Sequence, residues 1–283
     1  MRGRRTAEDG QMELSDRLQA VASLVTAGHR VADIGTDHAY IPIYLLWKGM
    51  APSAIAMDVN EGPLKKAEAH VKENGMEEKI RLRLSDGFEK LEPFEVDTAV
   101  IAGMGGPLMI RILSAYPEVT RSLKELVLQP QSEIAKVRAF LLEEGFLFIQ
   151  EDMVKDDGKY YPMMKAAPPR DGRRGGQSKG AEKSLEPDRL KTRKERERGG
   201  WMESGSPEQD TLCVWDEAEI RYGKLLLEMR HPVLREYLDR EQAIRQNILA
   251  GLRGQTGERI RIRRMELEEE LDYIWKGLEY YAV

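Results

Sequence analysis

From Leu14 to Lys165, short apolar runs bounded by Gly or Asp alternate with longer amphipathic stretches. That alternation is the pattern of a mostly parallel sheet covered by helices on both faces, a doubly wound α/β fold. Seven runs read as strands, at Arg30–Ile34, Ala54–Asp58, Ile80–Leu84, Thr98–Ala102, Leu126–Gln129, Phe146–Asp152 and Lys159–Lys165. The last two flank Asp156-Asp157-Gly158, and an Asp-Gly pair between β-rich runs predicts a hairpin, so one strand is expected to run antiparallel. Ahead of the first strand, Ser15 is placed to cap a helix carrying Leu18, Val21, Leu24 and Val25 at helical spacing, ended by Gly28.

Pro168 to about Asp210 breaks the pattern. Gly, Pro, Ser and charged residues dominate there, and Leu185 and Leu190 stand nearly alone before Trp201. Residues 168–200 hold eleven Lys/Arg against six Asp/Glu, which suits either a solvated linker or a nucleic-acid contact. From Ile220 the chain turns helical. Leu234, Tyr237, Ile244 and Ile248 form one stripe, and after Gly251, Gly254 and Gly257 a second follows at Ile260, Leu267, Leu271, Ile274, Leu278 and Tyr281. Heptad-like steps allow a coiled-coil-like α-helical hairpin, or two helices packed on the main domain, and both remain open. The expected organisation is a disordered 1–13, a main domain at 14–167, a mobile charged insertion at 168–210 and a helical domain at 211–283.

Composition narrows the class. Of 283 residues, 41% are hydrophobic and 33% charged, with 44 Lys+Arg against 49 Asp+Glu, so collagen-like, wholly disordered and membrane-embedded chains are excluded. A net charge of -5 leaves the partner question to local clusters. Cys213 is the single cysteine, which excludes an intramolecular disulfide and a zinc-spaced ligand cluster. A cytoplasmic location is expected, with no secretory signal in MRGRRTAEDGQMEL and no membrane or metal partner. The oligomeric state stays open, with a monomer as the working expectation.

The candidate chemistry lies at predicted strand ends. The segment Val31-Ala32-Asp33-Ile34-Gly35-Thr36-Asp37-His38-Ala39-Tyr40 is a strand, a small-residue turn and a helix start, the place where open α/β sheets bind ligands through backbone N–H groups. The glycines of a dinucleotide fingerprint are replaced by Asp37 and Tyr40, which disfavours a nicotinamide-dependent oxidoreductase. An acidic turn repels a pyrophosphate and suits a cationic ligand with an amino group, such as S-adenosylmethionine. Asp58 follows Asp33 by 25 positions, where a carboxylate accepts from both ribose hydroxyls, and Asp86 ends the third strand where it can accept from an adenine amino group. Alone, any of these reads equally as a turn former. Gly103-Met104-Gly105-Gly106 after the fourth strand allows close backbone approach, and the fifth aims Gln129 and Gln131 at the same edge.

LSDRL, DIGTDHAYIP, IAGMGG, LQPQ and DDGKYY together resemble the bacterial tRNA (adenine-N1)-methyltransferase family called TrmK, over about Leu14 to Lys165. The resemblance implies a class I, Rossmann-like methyltransferase domain, S-adenosylmethionine as methyl donor, and tRNA as substrate with adenine 22 as target. It also implies a helical C-terminal domain that helps hold the tRNA. Carried over, Asp33, Gly35, Thr36, Asp37 and His38 line the methionine end, Asp58 the ribose, Asp86 and Gly87 the adenine, with Gly103, Met104 and Gly105 also against the cofactor. The chain departs from the family at Gln131, where Asn is usual, and in the apparent insertion at 168–210.

Adenine N1 carries its own lone pair, so positioning and not a strong base is expected to drive transfer. Asp37, Gln129 and the Gly103–Gly105 carbonyls are the candidates around the reacting atoms, and Tyr40, Tyr160 and Tyr161 either stack on the base or pack the core. His38 reads as a cofactor contact; His29, His70 and His231 read as surface or helix-end residues. Arg111, Arg121, Lys136, Arg138, Arg261, Arg263 and Arg264 are candidate phosphate contacts. A non-catalytic RNA-binding protein on the same fold is the alternative function.

Overall fold

The computed structural model describes residues 13–169 and 215–282. Residues 1–12 and 170–214, which hold most of the expected N-terminal stretch and insertion together with Trp201 and Cys213, lie outside them. Helix α1 (Asp16–Ser23) leads into β1 (Val31–Ile34), α2 (Tyr40–Trp47), β2 (Ala54–Asp58), α3 (Glu61–Glu73) and β3 (Ile80–Leu84). Then follow β4 (Thr98–Gly105), α4 (Gly106–Ala115), α5 (Pro117–Ser122), β5 (Glu125–Ser132), α6 (Ile134–Glu143), β6 (Leu147–Asp156) and β7 (Lys159–Ala167). The strands form one seven-stranded sheet in the order β3-β2-β1-β4-β5-β7-β6. Only β7 is antiparallel, paired with both β5 and β6. The expected doubly wound sheet is present, and Asp157 and Gly158 close its hairpin with left-handed backbone, φ 50° and 74°.

Local signals set most of these elements. Ser15 caps α1 by accepting from the Leu18 N–H. The central strands are buried along almost their whole length, as strands covered on both faces must be. Side-chain alternation divides their residues between two cores. Ala32, Ile34, Ala99, Ile101, Leu126 and Leu128 pack with α4 and α6, while Val31, Ala54, Ala56, Val100 and Val127 pack with α1, α2 and α3. Two predicted strands stop short of the structure: β4 runs on through Gly105 and β5 to Ser132, pairing through a register shift past Ala102.

Among the described residues the C-terminal part holds four helices, α7 (Glu217–Tyr222), α8 (Lys224–Glu228), α9 (Pro232–Gly251) and α10 (Glu258–Glu279). A capping box of Asp216 and Glu219 starts α7. Both arrangements left open by the sequence occur in one body: α9 and α10 form a hairpin, and its base docks on the sheet through Leu234, Leu238, Ile274 and Met153. Ile244 and Ile248 are a correction. They are 39% and 42% exposed, because mid-hairpin the seam between the helices is taken by Arg245 bonding Glu241 and Glu270. Among the described residues no helix is long and apolar enough to cross a membrane.

Arg138 is a second correction. It is fully buried on α6 and cannot reach a phosphate. Its Nε donates to Glu151 Oε1 at 2.8 Å and its Nη1 to the carbonyls of Ile220 and Arg221. Glu151 Oε2 in turn accepts from the Leu225 N–H. Gly223 passes between α7 and α8 at φ 97°, and a Cβ there would lie 2.6 Å from Glu151 Oε1. Arg138→Ala leaves a buried carboxylate unpaired and should cost about 3–5 kcal/mol. Urea denaturation measures this; a loss below about 1 kcal/mol, the worth of a surface pair, would remove the clamp from the account.

Candidate active site

Strand register brings the predicted residues to one rim. Ile34 pairs with Met57 and with Ile101, Asp58 with Leu84, and Ala102 with Gln129. The ends of β1 to β5 therefore place Asp33, Asp58, Asp86, the Gly103–Gly105 segment and Gln129 along the carboxyl edge of the sheet. Asp33 is 7% exposed, and burial pushes its carboxyl up to about 6. A hydrogen bond from Thr36 lowers it and the charge of Asp58 raises it, so the two carboxylates sense one another. No cation pairs with Asp33 among the described residues. Asp58 uses Oδ1 to accept from the Asn60 N–H at 2.7 Å.

A cavity of about 270 Å³ opens between this rim and α1, lined by Arg17, Asp33, Gly35, Thr36, Asp37 and His38 among others. Gly35 turns the chain at φ 77°. The turn differs from expectation in one respect: the N–H groups of Gly35 and Thr36 both donate to the Met57 carbonyl, at 2.8 and 2.9 Å, and do not face a ligand. Thr36 Oγ1 accepts from Ala39, which holds a left-handed φ of 56°. Met104 reaches across from β4, its methyl 2.1 Å from where a Gly35 Cβ would stand, and the left-handed φ is what favours glycine there.

The outer wall is a stack of rings. His38 lies 4.9 Å from Tyr40 and 5.0 Å from His70, near parallel to both. His70, read as a surface or helix-end residue, lies in the last turn of α3 and donates from Nδ1 to the His38 carbonyl. His29, read the same way, is half-buried against Thr98 Oγ1 beneath the sheet, while His231 stands at a helix end, the start of α9, half-buried and bonded to Asp152. Burial lowers the His38 pKa below its ordinary value, against the pull of Asp37 at 3.0 Å, which keeps the ring neutral. Asp37 itself is held by Lys66 and His38.

Arg17 is the site residue that the sequence reading missed. It shares the helical stripe of Leu14, Val21 and Leu24, so a buried arginine on an apolar face was the available signal. Its Nη1 donates to Gln129 Oε1 at 2.8 Å and its guanidinium lies 5.5 Å from the Tyr161 ring centre. Gln129 is fully buried and donates its own N–H to the Pro130 carbonyl, so both ends of its amide are engaged. It fits a role in fixing Arg17 better than contact with a substrate. Gly103, at φ 80°, lets Gln131 and Arg17 approach within 3.5 and 3.7 Å of its Cβ position.

Toward β3, Arg111 holds both oxygens of Asp86, at 2.9 and 3.2 Å, instead of standing free for a phosphate. Gly87 turns at φ 58° with Ile112 packed against its open side. Lys136, Arg261 and Arg263 likewise pair with Glu133, Glu258 and Glu266. Among the described residues no group of three or more His, Cys, Asp or Glu side chains could hold a metal ion. The rim is thus anionic and has one buried cation at its α1 side, a donor set that fits a zwitterionic, cationic nucleoside and not a pyrophosphate.

Comparison with known proteins agrees with this chemistry. A family model described as a methyltransferase domain matches residues 14–164. The tRNA (adenine(22)-N(1))-methyltransferase of Bacillus subtilis is 37% identical over 156 residues, which cover 55% of this chain and 66% of the relative. The matched segment thus spans just under two thirds of that relative's length. The crystal structure of the B. subtilis m1A22 tRNA methyltransferase TrmK superposes with a TM-score of 0.71 at 26% identity, covering 95% of this chain and all of the other. A putative tRNA (m1A22) methyltransferase of Streptococcus pneumoniae, solved with S-adenosyl-L-methionine, gives 0.70 at 27% identity over 94% of this chain and all of the other.

Asp33 makes a stability signature. Its folded pKa of about 6 lies above the ordinary 3.8, so its contribution is fully present below about pH 4 and lost as pH rises through 6. Relative to Asp33→Asn, whose amide does not titrate, the wild type should lose on the order of 3 kcal/mol between about pH 4 and pH 7. Urea denaturation of both proteins at the two pH values reads this difference, and identical pH profiles would contradict the buried carboxylate.

Proposed function

The chain belongs to the methyltransferase-domain family, and from that premise we propose that it is an S-adenosylmethionine-dependent tRNA (adenine-N1)-methyltransferase, acting on adenine 22 in the cytoplasm. The observation that carries the reading is the shared rim of Asp33, Asp58 and Asp86, with Asp33 buried and without a cation partner among the described residues. We assign residues 14–167 to donor binding and methyl transfer, and 211–283 to holding the tRNA.

The donor, when bound, supplies an electrophilic sulfonium methyl group. Asp33 offers a carboxylate to its cationic amino-acid end, and Arg17, fixed by Gln129, lines the same cavity. Asp58 has Oδ2 left for the ribose hydroxyls. Asp86 takes the adenine side, with Arg111 orienting its carboxylate. Gly35, Thr36, Asp37 and His38 shape the amino-acid end, Gly87 the adenine end, and Gly103 to Gly105 the floor where the methyl group faces the substrate.

The nucleophile needs no activation, because adenine N1 has its own lone pair. The protein's work is to bring that nitrogen in line with the methyl group and to exclude water. As the ring becomes cationic, carbonyl oxygens of the Gly103–Gly105 segment stabilise it, and Asp37 adds a more distant negative charge tempered by Lys66. N1 lies on the pairing edge, so the base must leave its stack, at a cost of a few kcal/mol. Gln129 acts as a positioning residue through Arg17.

Purified protein given labelled S-adenosylmethionine and unmodified tRNA should transfer label, and reverse transcription should stop at adenine 22. Asp58→Ala should weaken donor binding by at least about tenfold, the loss of one charge-assisted hydrogen bond or more, and leave tRNA affinity unchanged. Calorimetry with each ligand measures both. Equal loss of both would contradict the ribose assignment, and tRNA binding without any label transfer would favour the non-catalytic alternative.

A further inference from the structure

β7 divides the carboxyl edge. Its neighbours Tyr160 and Tyr161 turn to opposite faces: Tyr161 meets Arg17 beside the donor cavity, while Tyr160 faces a second cavity of about 240 Å³ between the sheet and the C-terminal helices. This second cavity lies at the same edge, because antiparallel β7 begins there and because Ile134 and Ala135 on its wall open α6 directly after β5. The opposite wall brings Tyr222, Tyr237, Arg221 and Arg245 from α7 and α9.

Its chemistry is specific. Arg221 is neutralised by Glu217 and lies 4.2 Å from the Tyr273 ring centre. Arg245 is neutralised by Glu241 and Glu270. Arg138, which also lines the cavity, is paired with Glu151, so among the described residues each guanidinium on the cavity wall has a carboxylate partner, while Arg240 stands beside the wall, 5.5 Å from the Tyr160 ring centre. Its unmet polar groups are the hydroxyls of Tyr222 and Tyr237, which have no hydrogen-bond partner among the described residues. Burial pushes both phenols above their ordinary pKa, so they stay protonated and available as donors and acceptors. The Tyr237 ring meets Tyr160 edge-on at 5.3 Å, which holds it in place. Aromatic walls, two uncommitted hydroxyls and neutralised guanidiniums match a neutral heteroaromatic ring bearing donors and acceptors on its edge.

We propose that this cavity between β6–β7, α6 and α9 binds a second, unpaired nucleobase of the RNA substrate, on the far side of β7 from the base that is methylated. The proposal rests on the tRNA methyltransferase reading. A base held there fixes the RNA strand across the edge, beside the target base, and contributes to binding the substrate.

The test uses the full chain and the double variant Tyr222→Phe/Tyr237→Phe, which keeps both rings and the packing. KM for unmodified tRNA should rise about tenfold, with kcat, donor affinity and melting temperature unchanged. tRNAs carrying one abasic residue at a time in the unpaired positions near adenine 22 then locate the base. One such position should weaken binding to the wild type and cause no further loss in the double variant, the non-additivity of a direct contact. Wild-type KM in the double variant, or purely additive losses at every abasic position, would overturn the proposal and leave the methyltransferase reading intact. No methyl transfer by the wild type would overturn both.

Discussion

The buried pair of Arg138 and Glu151 ties the two halves of the molecule together. Both residues belong to the α/β half, on α6 and β6, with side chains 1% and 0% exposed. Such a pair is costly to desolvate and is sustained only when its remaining hydrogen-bonding capacity is met. Here the backbone of the C-terminal helices meets it, through the carbonyls of Ile220 and Arg221 and the N–H of Leu225. The sheet half is therefore electrostatically incomplete without the tail. Gly223 is the geometric condition, since no other residue lets the chain pass so close at a left-handed φ. Because α6 starts at the end of β5, the same clamp fixes the tail relative to the rim that carries the proposed site.

Charge is distributed along that rim by burial as much as by composition. Asp86 and Asp37 are exposed and held by Arg111, Lys66 and His38. Asp33 is deep, has no cation partner among the described residues, and lies next to Asp58, whose charge adds to burial in raising its pKa. Arg17 is its complement, a buried cation kept in place by Gln129 and by the Tyr161 ring.

β7 gives the rim its two sides. Alternation along one strand sends Tyr161 and Met163 to the α1 face and Tyr160 and Met164 to the other, so one short segment borders both the donor cavity and the tyrosine-lined cavity under the tail. The hairpin base is apolar and docked, while its middle is tied by Arg245 to Glu241 and Glu270, a polar seam that favours one register over others.

Much of this was legible in the residue pattern, because it depends on neighbours in sequence. Apolar runs ending in Asp or Gly located all seven strands and the three acidic strand ends, and Asp157-Gly158 announced the antiparallel hairpin through the only backbone its turn can take. The motifs DIGTDHAY and IAGMGG carried the resemblance to the family. Tertiary structure decided what depends on groups distant along the chain. Arg138 looked like a phosphate contact until Glu151 and the α7 carbonyls buried it, and Ile244 and Ile248 looked like core until a polar seam displaced them. Arg17 joined the site only when α1 lay across Gln129, 112 positions away. Local pattern fixes which way a side chain points within its element; whether it meets a partner, a ligand or water is set by which elements the fold brings opposite it.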